Sequence, residues 1–139
     1  DIFVSLPTTS PLRNKNDITQ CLAFLDKKTD IVVGITEANR SPWFNMVQKN
    51  DSAFIDVLMK NDKRYTRRQE TPVIFDMTTV AYVSRPEYIK KATGIFDGKV
   101  KGVEIPAERA LDIDTELDFE IAEFLMDKVL KSNKNEANA

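Results

Sequence analysis

Asp112 and Asp114 flank a single isoleucine in ALDIDTELDFEIAE, residues 110–123, just ahead of a regular amphipathic pattern. In an extended tripeptide the two carboxylates point to one side and Ile113 to the other. Carboxylates about 4 Å apart repel by roughly 4 kcal/mol at an effective dielectric of 20. The arrangement is tolerable if the groups diverge into water, if one is protonated, or if a cation lies between them. Mg2+ suits the third case, because it takes one or two protein carboxylates and fills its other positions with water and substrate phosphates. Glu116 and Asp118 have a separate explanation, since Thr115-Glu116-Leu117-Asp118 matches a helix capping box.

Three more segments carry suitable chemistry. Thr8, Thr9 and Ser10 place three hydroxyls in the proline-bounded loop PTTSPLR, with Arg13 close behind. Such hydroxyls can bind polyhydroxylated or phosphorylated ligands, and arginine grips a carboxylate or phosphate through two parallel bonds. The same residue types also serve as plain turn chemistry. In RYTRRQETP, Arg64, Arg67 and Arg68 precede Gln69, either as an anion-attracting patch or as a solvated charged loop. In VIFDMTTVAYVSR, residues 73–85, alternation sets Asp76, Thr78, Val80 and Tyr82 on one face of a strand. An acid is uncommon there and costly in a core unless paired, so that face is wet or meets a cationic group.

Composition narrows what these residues can do. With 42% hydrophobic and 30% charged residues the chain reads as a globular protein, and its 139 residues suffice for one domain. A net charge of −2 gives no reason to expect a nucleic-acid or membrane partner. The absence of histidine excludes serine–histidine and cysteine–histidine nucleophiles and every histidine-liganded metal. Cys21 falls in an apolar helical stripe and reads as a buried structural thiol, in keeping with a reducing compartment. No stretch approaches the ~20 apolar residues of a membrane span, and no basic-then-apolar leader is present. The cytoplasm is the expected location.

These residues need a scaffold. DIFVSLP reads as a buried-type strand, which predicts a central strand covered on both faces and a missing N-terminal portion ahead of it. A helix is predicted from Asp17, with Ile18, Cys21, Leu22 and Leu25 in one stripe, followed by a strand over 30–38. Strand, helix and strand at this spacing predict a parallel pair. One or two short strands are expected within 43–58, then a helix at RPEYIKKA, a strand at KVKGVEIP and a closing helix over 116–130. The result is an α/β domain over 1–131 with a mainly parallel sheet, and a polar tail over 132–139. Ligands of such sheets gather at the carboxyl ends of strands, where the hydroxyl loop, the basic connection and the acidic pair are all expected.

In this order and spacing, LPTTSPLR, RRQETP, AYV and above all DIDTELDFEIAE resemble the acylneuraminate cytidylyltransferases (CMP-sialic acid synthetases). The resemblance spans nearly the whole chain and corresponds to the C-terminal portion of that family's domain. It implies a Rossmann-like fold of the nucleotide-diphospho-sugar transferase type and a homodimer. The implied reaction, part of cell-surface polysaccharide biosynthesis, transfers CMP from CTP to a nine-carbon acidic sugar, a nonulosonic acid, and releases pyrophosphate. The implied cofactor is Mg2+ or Mn2+. Asp112 and Asp114 match the metal-binding catalytic aspartates, and Arg68 and Gln69 match a pair beside the sugar, with Arg68 orienting its carboxylate. Tyr82 matches a sugar-site tyrosine, while Thr9, Ser10 and Arg13 match the loop lining that site. Ile95 and Phe96 fall where family members present an aromatic pair to the partner subunit's sugar.

The chain departs from the family pattern in two places. Pro7 stands at the usual Gln and Thr8 at the usual Pro, and Asp76-Met77-Thr78-Thr79 replaces Arg-x-Asn-Gly. Asp76 and Thr78 thus take the sugar-facing positions, and an acid stands in for an arginine. That favours a related acid, an amino-bearing sugar able to pair with Asp76, or a non-sialic substrate such as a 3-deoxy-octulosonate. The family's Gly-Ser-Lys-type loop and Lys-Asn pair, which bind CTP, have no counterpart in the 139 residues. The expectation is therefore the sugar and metal half of a longer enzyme, inactive alone. A non-catalytic sugar-binding homologue is the rival reading, supported by this gap alone.

Overall fold

A computed structural model describes residues 1–137. The strands are β1 (Phe3–Ser5), β2 (Ile31–Glu37), β3 (Val47–Lys49), β4 (Ile55–Val57), β5 (Phe75–Ser84) and β6 (Val100–Glu104). The helices are α1 (Lys15–Phe24), α2 (Pro86–Lys91) and α3 (Glu116–Ala137), with short 3-10 turns at Arg68–Glu70, Ile95–Asp97 and Ala107–Arg109. The chain divides into two compact units, one made of residues 1–36 with the chain from 77 onward, the other of 37–76. The sequence predicts one domain to residue 131 and a polar tail from 132. Instead α3 continues through 137, and residues 138 and 139 of the tail lie outside the described residues.

In the first unit the sheet order is β1-β5-β2-β6. The α/β class holds, but the sheet is mixed: β2 and β6 run parallel while β1 and β5 run antiparallel. β1 and β2, the strands of the predicted βαβ unit, are not hydrogen-bonded neighbours, because β5 lies between them. Nor is β1 central. Ile2, Phe3, Val4 and Leu6 are exposed at this edge, whereas β5 contributes Val80, Ala81 and Val83, from both its faces, to the buried cluster with Cys21, Leu25, Val32, Val103 and Ile105. Gly34 lets β2 approach β5 closely, since a Cβ there would stand 2.6 Å from Thr78 Oγ1.

Helix α1 begins at Lys15, two residues earlier than predicted. Asp17 N donates to Asn14 Oδ1 (3.1 Å) and Asn14 N to Asp17 Oδ2 (2.9 Å), closing a capping box on the third helical residue. The predicted stripe holds, with Cys21 and Leu25 buried and Ile18 and Leu22 half-buried. Cys21 behaves as a structural thiol: burial, then the Asp17 charge, pushes it up to about 11.

In the second unit the one or two short strands expected within 43–58 are two, β3 and β4, paired as an antiparallel hairpin. Ala38 N donates to Ile74 O (3.0 Å), closing the base of the unit.

Candidate functional site

The edge ladder stops where the hydroxyl loop begins. Ser5 is the last residue of β1, opposite Tyr82, and Pro7 has no N–H to continue. Arg13 supplies donors instead, from NH1 to Val80 O (3.1 Å) and NH2 to Leu6 O (3.4 Å). Burial lowers its pKa below the usual guanidinium value. Ser10 is fully buried and shares a 2.6 Å hydrogen bond with Thr79 Oγ1. Two of the predicted sugar-site residues, Ser10 and Arg13, are thus engaged in holding the loop to β5. Thr9 stays half-buried, and its carbonyl accepts from Ile113 N at 2.9 Å.

That last bond docks the acidic pair onto the loop by the backbone of the residue between its two members. Asp112 is half-buried and Asp114 exposed. Asp112 Oδ1 is a buried oxygen without a hydrogen-bond partner among the described residues. Such an atom costs about 1–3 kcal/mol unless water or a cation meets it. Tyr82 lies close by: burial, then the Asp112 charge, raises its phenol pKa, so it stays a protonated hydrogen-bond donor. Thr78, predicted on the same face, is 5% exposed with its hydroxyl against Gly34, inside the sheet.

Behind the pair the chain enters α3 through the predicted capping box. Thr115 N (2.8 Å) and Thr115 Oγ1 (2.7 Å) donate to Asp118 Oδ2, and Asp118 N donates to Thr115 Oγ1 (3.3 Å). The Thr115 hydroxyl and the nearby amides hold the Asp118 carboxyl below the usual range. Ahead of the pair, Arg109 in the Ala107–Arg109 turn forks onto Asp17, with Nε 3.0 Å from Oδ2 and NH2 3.0 Å from Oδ1. Asp17 is 1% exposed. Neither residue stands out as a site residue in the sequence; only the Asn-x-x-Asp spacing at 14–17 marks Asp17, and nothing local marks Arg109.

Asp112 and Asp114 could hold a hard cation through oxygen. One presents a buried oxygen lacking a donor and the other an exposed carboxylate. Among the described residues no group of three or more acidic or cysteine side chains stands at metal-holding spacing, so the remaining coordination falls to water and ligand oxygens, as Mg2+ accepts. The residues fit the ion.

Ile95 and Phe96 ride on a braced turn. Asp97 accepts from Thr93 N (2.7 Å), Thr93 Oγ1 (2.9 Å) and Gly94 N (2.9 Å), and Tyr88 OH donates to Ile95 O (2.9 Å). Phe96 is left 73% exposed.

The second unit places Arg68 and Gln69 on a cavity of about 200 Å³ that Arg40, Ser41 and Thr71 also line. Arg68 NH1 donates to Ala38 O (2.9 Å) and stands 3.8 Å from Glu37 Oε1. Arg64 and Arg67 are exposed, as is Asp76 at the start of β5, so that end of the strand is wet.

No protein-family model matches the chain. Curated relatives do. Post-translational flagellin modification protein B of Campylobacter coli is 31% identical over 128 residues, 91% of this chain and 53% of the relative. CMP-N,N'-diacetyllegionaminic acid synthase of Campylobacter jejuni is 36% identical over 90 residues, 64% of this chain and 37% of the relative. N-acylneuraminate cytidylyltransferase of Streptococcus agalactiae is 26% identical over 136 residues, 96% and 32%. The chain is thus similar in sequence to a CMP-legionaminic acid synthase and, more distantly, to N-acylneuraminate cytidylyltransferases. It spans 53% of the first relative and 37% or less of the other two. In three dimensions it resembles 4-diphosphocytidyl-2C-methyl-D-erythritol synthase of Anaerococcus prevotii, at a TM-score of 0.59 over 91% of this chain and 59% of that one, with 14% identity. The α/β fold with its mixed sheet is shared with that enzyme.

Proposed function

We propose that the chain is part of a cytidylyltransferase that transfers CMP from CTP to a nonulosonic acid and releases pyrophosphate. The observation that carries this reading is the buried, donorless Oδ1 of Asp112 beside exposed Asp114. Mg2+ or Mn2+, when bound, would supply charge neutralisation at the CTP phosphates.

The chain's own residues do the rest. Asp112 and Asp114 would hold the cation from a segment fastened between them by the Ile113 N–H on Thr9 O. Tyr82, kept protonated, donates to an oxygen of the sugar. Arg68 keeps donors beyond its bond to Ala38 O, and these orient the sugar carboxylate with Gln69. Catalysis of this kind is positioning plus charge stabilisation. Phe96, exposed on its braced turn, reaches the partner subunit in a homodimer. CTP-dependent chemistry belongs in the cytoplasm, and among the described residues no helix is long and apolar enough to cross a membrane.

A sialic-type substrate other than N-acetylneuraminic acid fits best, because exposed Asp76 replaces a cationic position and suits an amino-bearing sugar. The name of the legionaminic acid synthase relative likewise favours a sialic-type acid other than N-acetylneuraminic acid. A same-fold enzyme acting on a 3-deoxy-octulosonate is the second reading, and it also rests on Asp76. Release of pyrophosphate from CTP by the full-length protein, over a panel of these acids, tests both. Asp112→Asn should lower kcat/KM by on the order of a hundredfold or more. Unchanged metal-dependent turnover in Asp112→Asn and Asp114→Asn would remove the site assignment.

A further inference from the structure

Asp17, buried, and Arg109, half-buried, form an ion pair of the first unit that the reading above does not use. Arg109 contributes Nε and NH2 to both carboxylate oxygens, and Asp17 Oδ2 also accepts Asn14 N at 2.9 Å. Asp17 is thereby satisfied on both oxygens while 1% exposed. Its bonds close a circuit. From Asp17 the connections run through Asn14 into the hydroxyl loop, across Thr9 O to Ile113 N (2.9 Å), back along the acidic segment to Arg109, and so to Asp17.

The segment needs such a circuit. Residues 110–115 belong to no helix or strand, yet they carry both acids. Arg109 is three residues ahead of Asp112, and the Asp118 box takes over at Asp114 N (3.3 Å) and Thr115 N (2.8 Å). A buried ion pair is a weak source of stability compared with apolar packing. A forked guanidinium on a fixed carboxylate is instead a strong source of orientation.

We propose that the Asp17–Arg109 pair is a positioning brace that fixes the acidic segment on the hydroxyl loop and so sets the arrangement of the Asp112 and Asp114 carboxylates. It rests on the reading of those two acids as cation ligands. Neither Asp17 nor Arg109 touches the substrate; both act through the backbone of 110–113.

Amide hydrogen exchange and Mn2+ binding by electron paramagnetic resonance, on the 139-residue chain, test it. Arg109→Lys keeps the charge and loses the fork. Asp17→Leu with Arg109→Met removes both charges, so that no lone ion is left buried. In each variant the Ile113 amide should lose protection by about tenfold or more while the β5 amides keep theirs, and Mn2+ affinity should fall by about tenfold. Ile113 protection equal to that of the unaltered chain overturns the brace, as does a loss spread equally over β5 or failure of both variants to fold. The reading of the acids fails separately: if Asp112→Asn leaves Mn2+ binding unchanged while Arg109→Lys still frees Ile113, the brace stands and the cation site does not.

Discussion

Asp17 and Asp118 do the same local job at the starts of α1 and α3, each as the third helical residue of a capping box. They differ in what else they hold. Asp17 is buried and also receives Arg109, whereas Asp118 keeps only its own turn. With its folded pKa below the unfolded value, Asp118 contributes stability that is present above the unfolded pKa and lost as pH falls through the folded one. The thermal midpoint should therefore drop between about pH 5 and about pH 3, and Asp118→Asn should flatten part of that drop. A circular-dichroism melting series over that range checks it, and identical slopes in both proteins would count against the box. The Asp118 box is legible in four consecutive residues. The Asp17–Arg109 pair is not, because its members are 92 positions apart and only the fold brings them together.

At the level of elements, β5 has the burial that the sequence predicts for β1. A near-continuous apolar run fits a strand covered on both faces, but position in the sheet decides, and β1 is the edge. Pairing order is a long-range property; alternation reports faces and not neighbours. Local patterns did place α1, the short strands β3 and β4, α2 with Pro86 at its start, and β6. Packing between β2 and β5 gives the sharpest mutational expectation. Gly34→Ala would bring a methyl to 2.6 Å from Thr78 Oγ1 and 3.3 Å from Ile105. Both neighbours are buried, so the change should cost about 1–3 kcal/mol in urea unfolding. A cost near zero would mean that β2 shifts freely against β5.

For the whole molecule, the division at residues 37 and 76 separates the predicted site residues. Arg68, Gln69 and Asp76 belong to one unit, and the loop, Tyr82 and the acids to the other. The sequence showed this segment as a change of texture, short apolar runs followed by a basic connection, and not as a separate body. Its longest irregular stretch holds exposed Lys63, Arg64 and Arg67. Trypsin should cut there first, ahead of Arg13 and Arg109, whose side chains are engaged. Mass spectrometry of an early digest reads the order directly, and initial cleavage at Arg109 would contradict the packing of that turn.

One feature of the acidic pair bears on its portability. Asp-x-Asp looks like a two-letter motif with a blank in the middle, yet the blank is where the segment is fastened, by the Ile113 N–H on Thr9 O. The spacer's amide is committed to that bond, so proline is excluded there for a reason unrelated to the carboxylates. Anyone grafting the pair onto another scaffold must transplant an acceptor carbonyl with it. The unit of exchange is two loops and the bond between them, and three residues alone would carry the acids without their bearing.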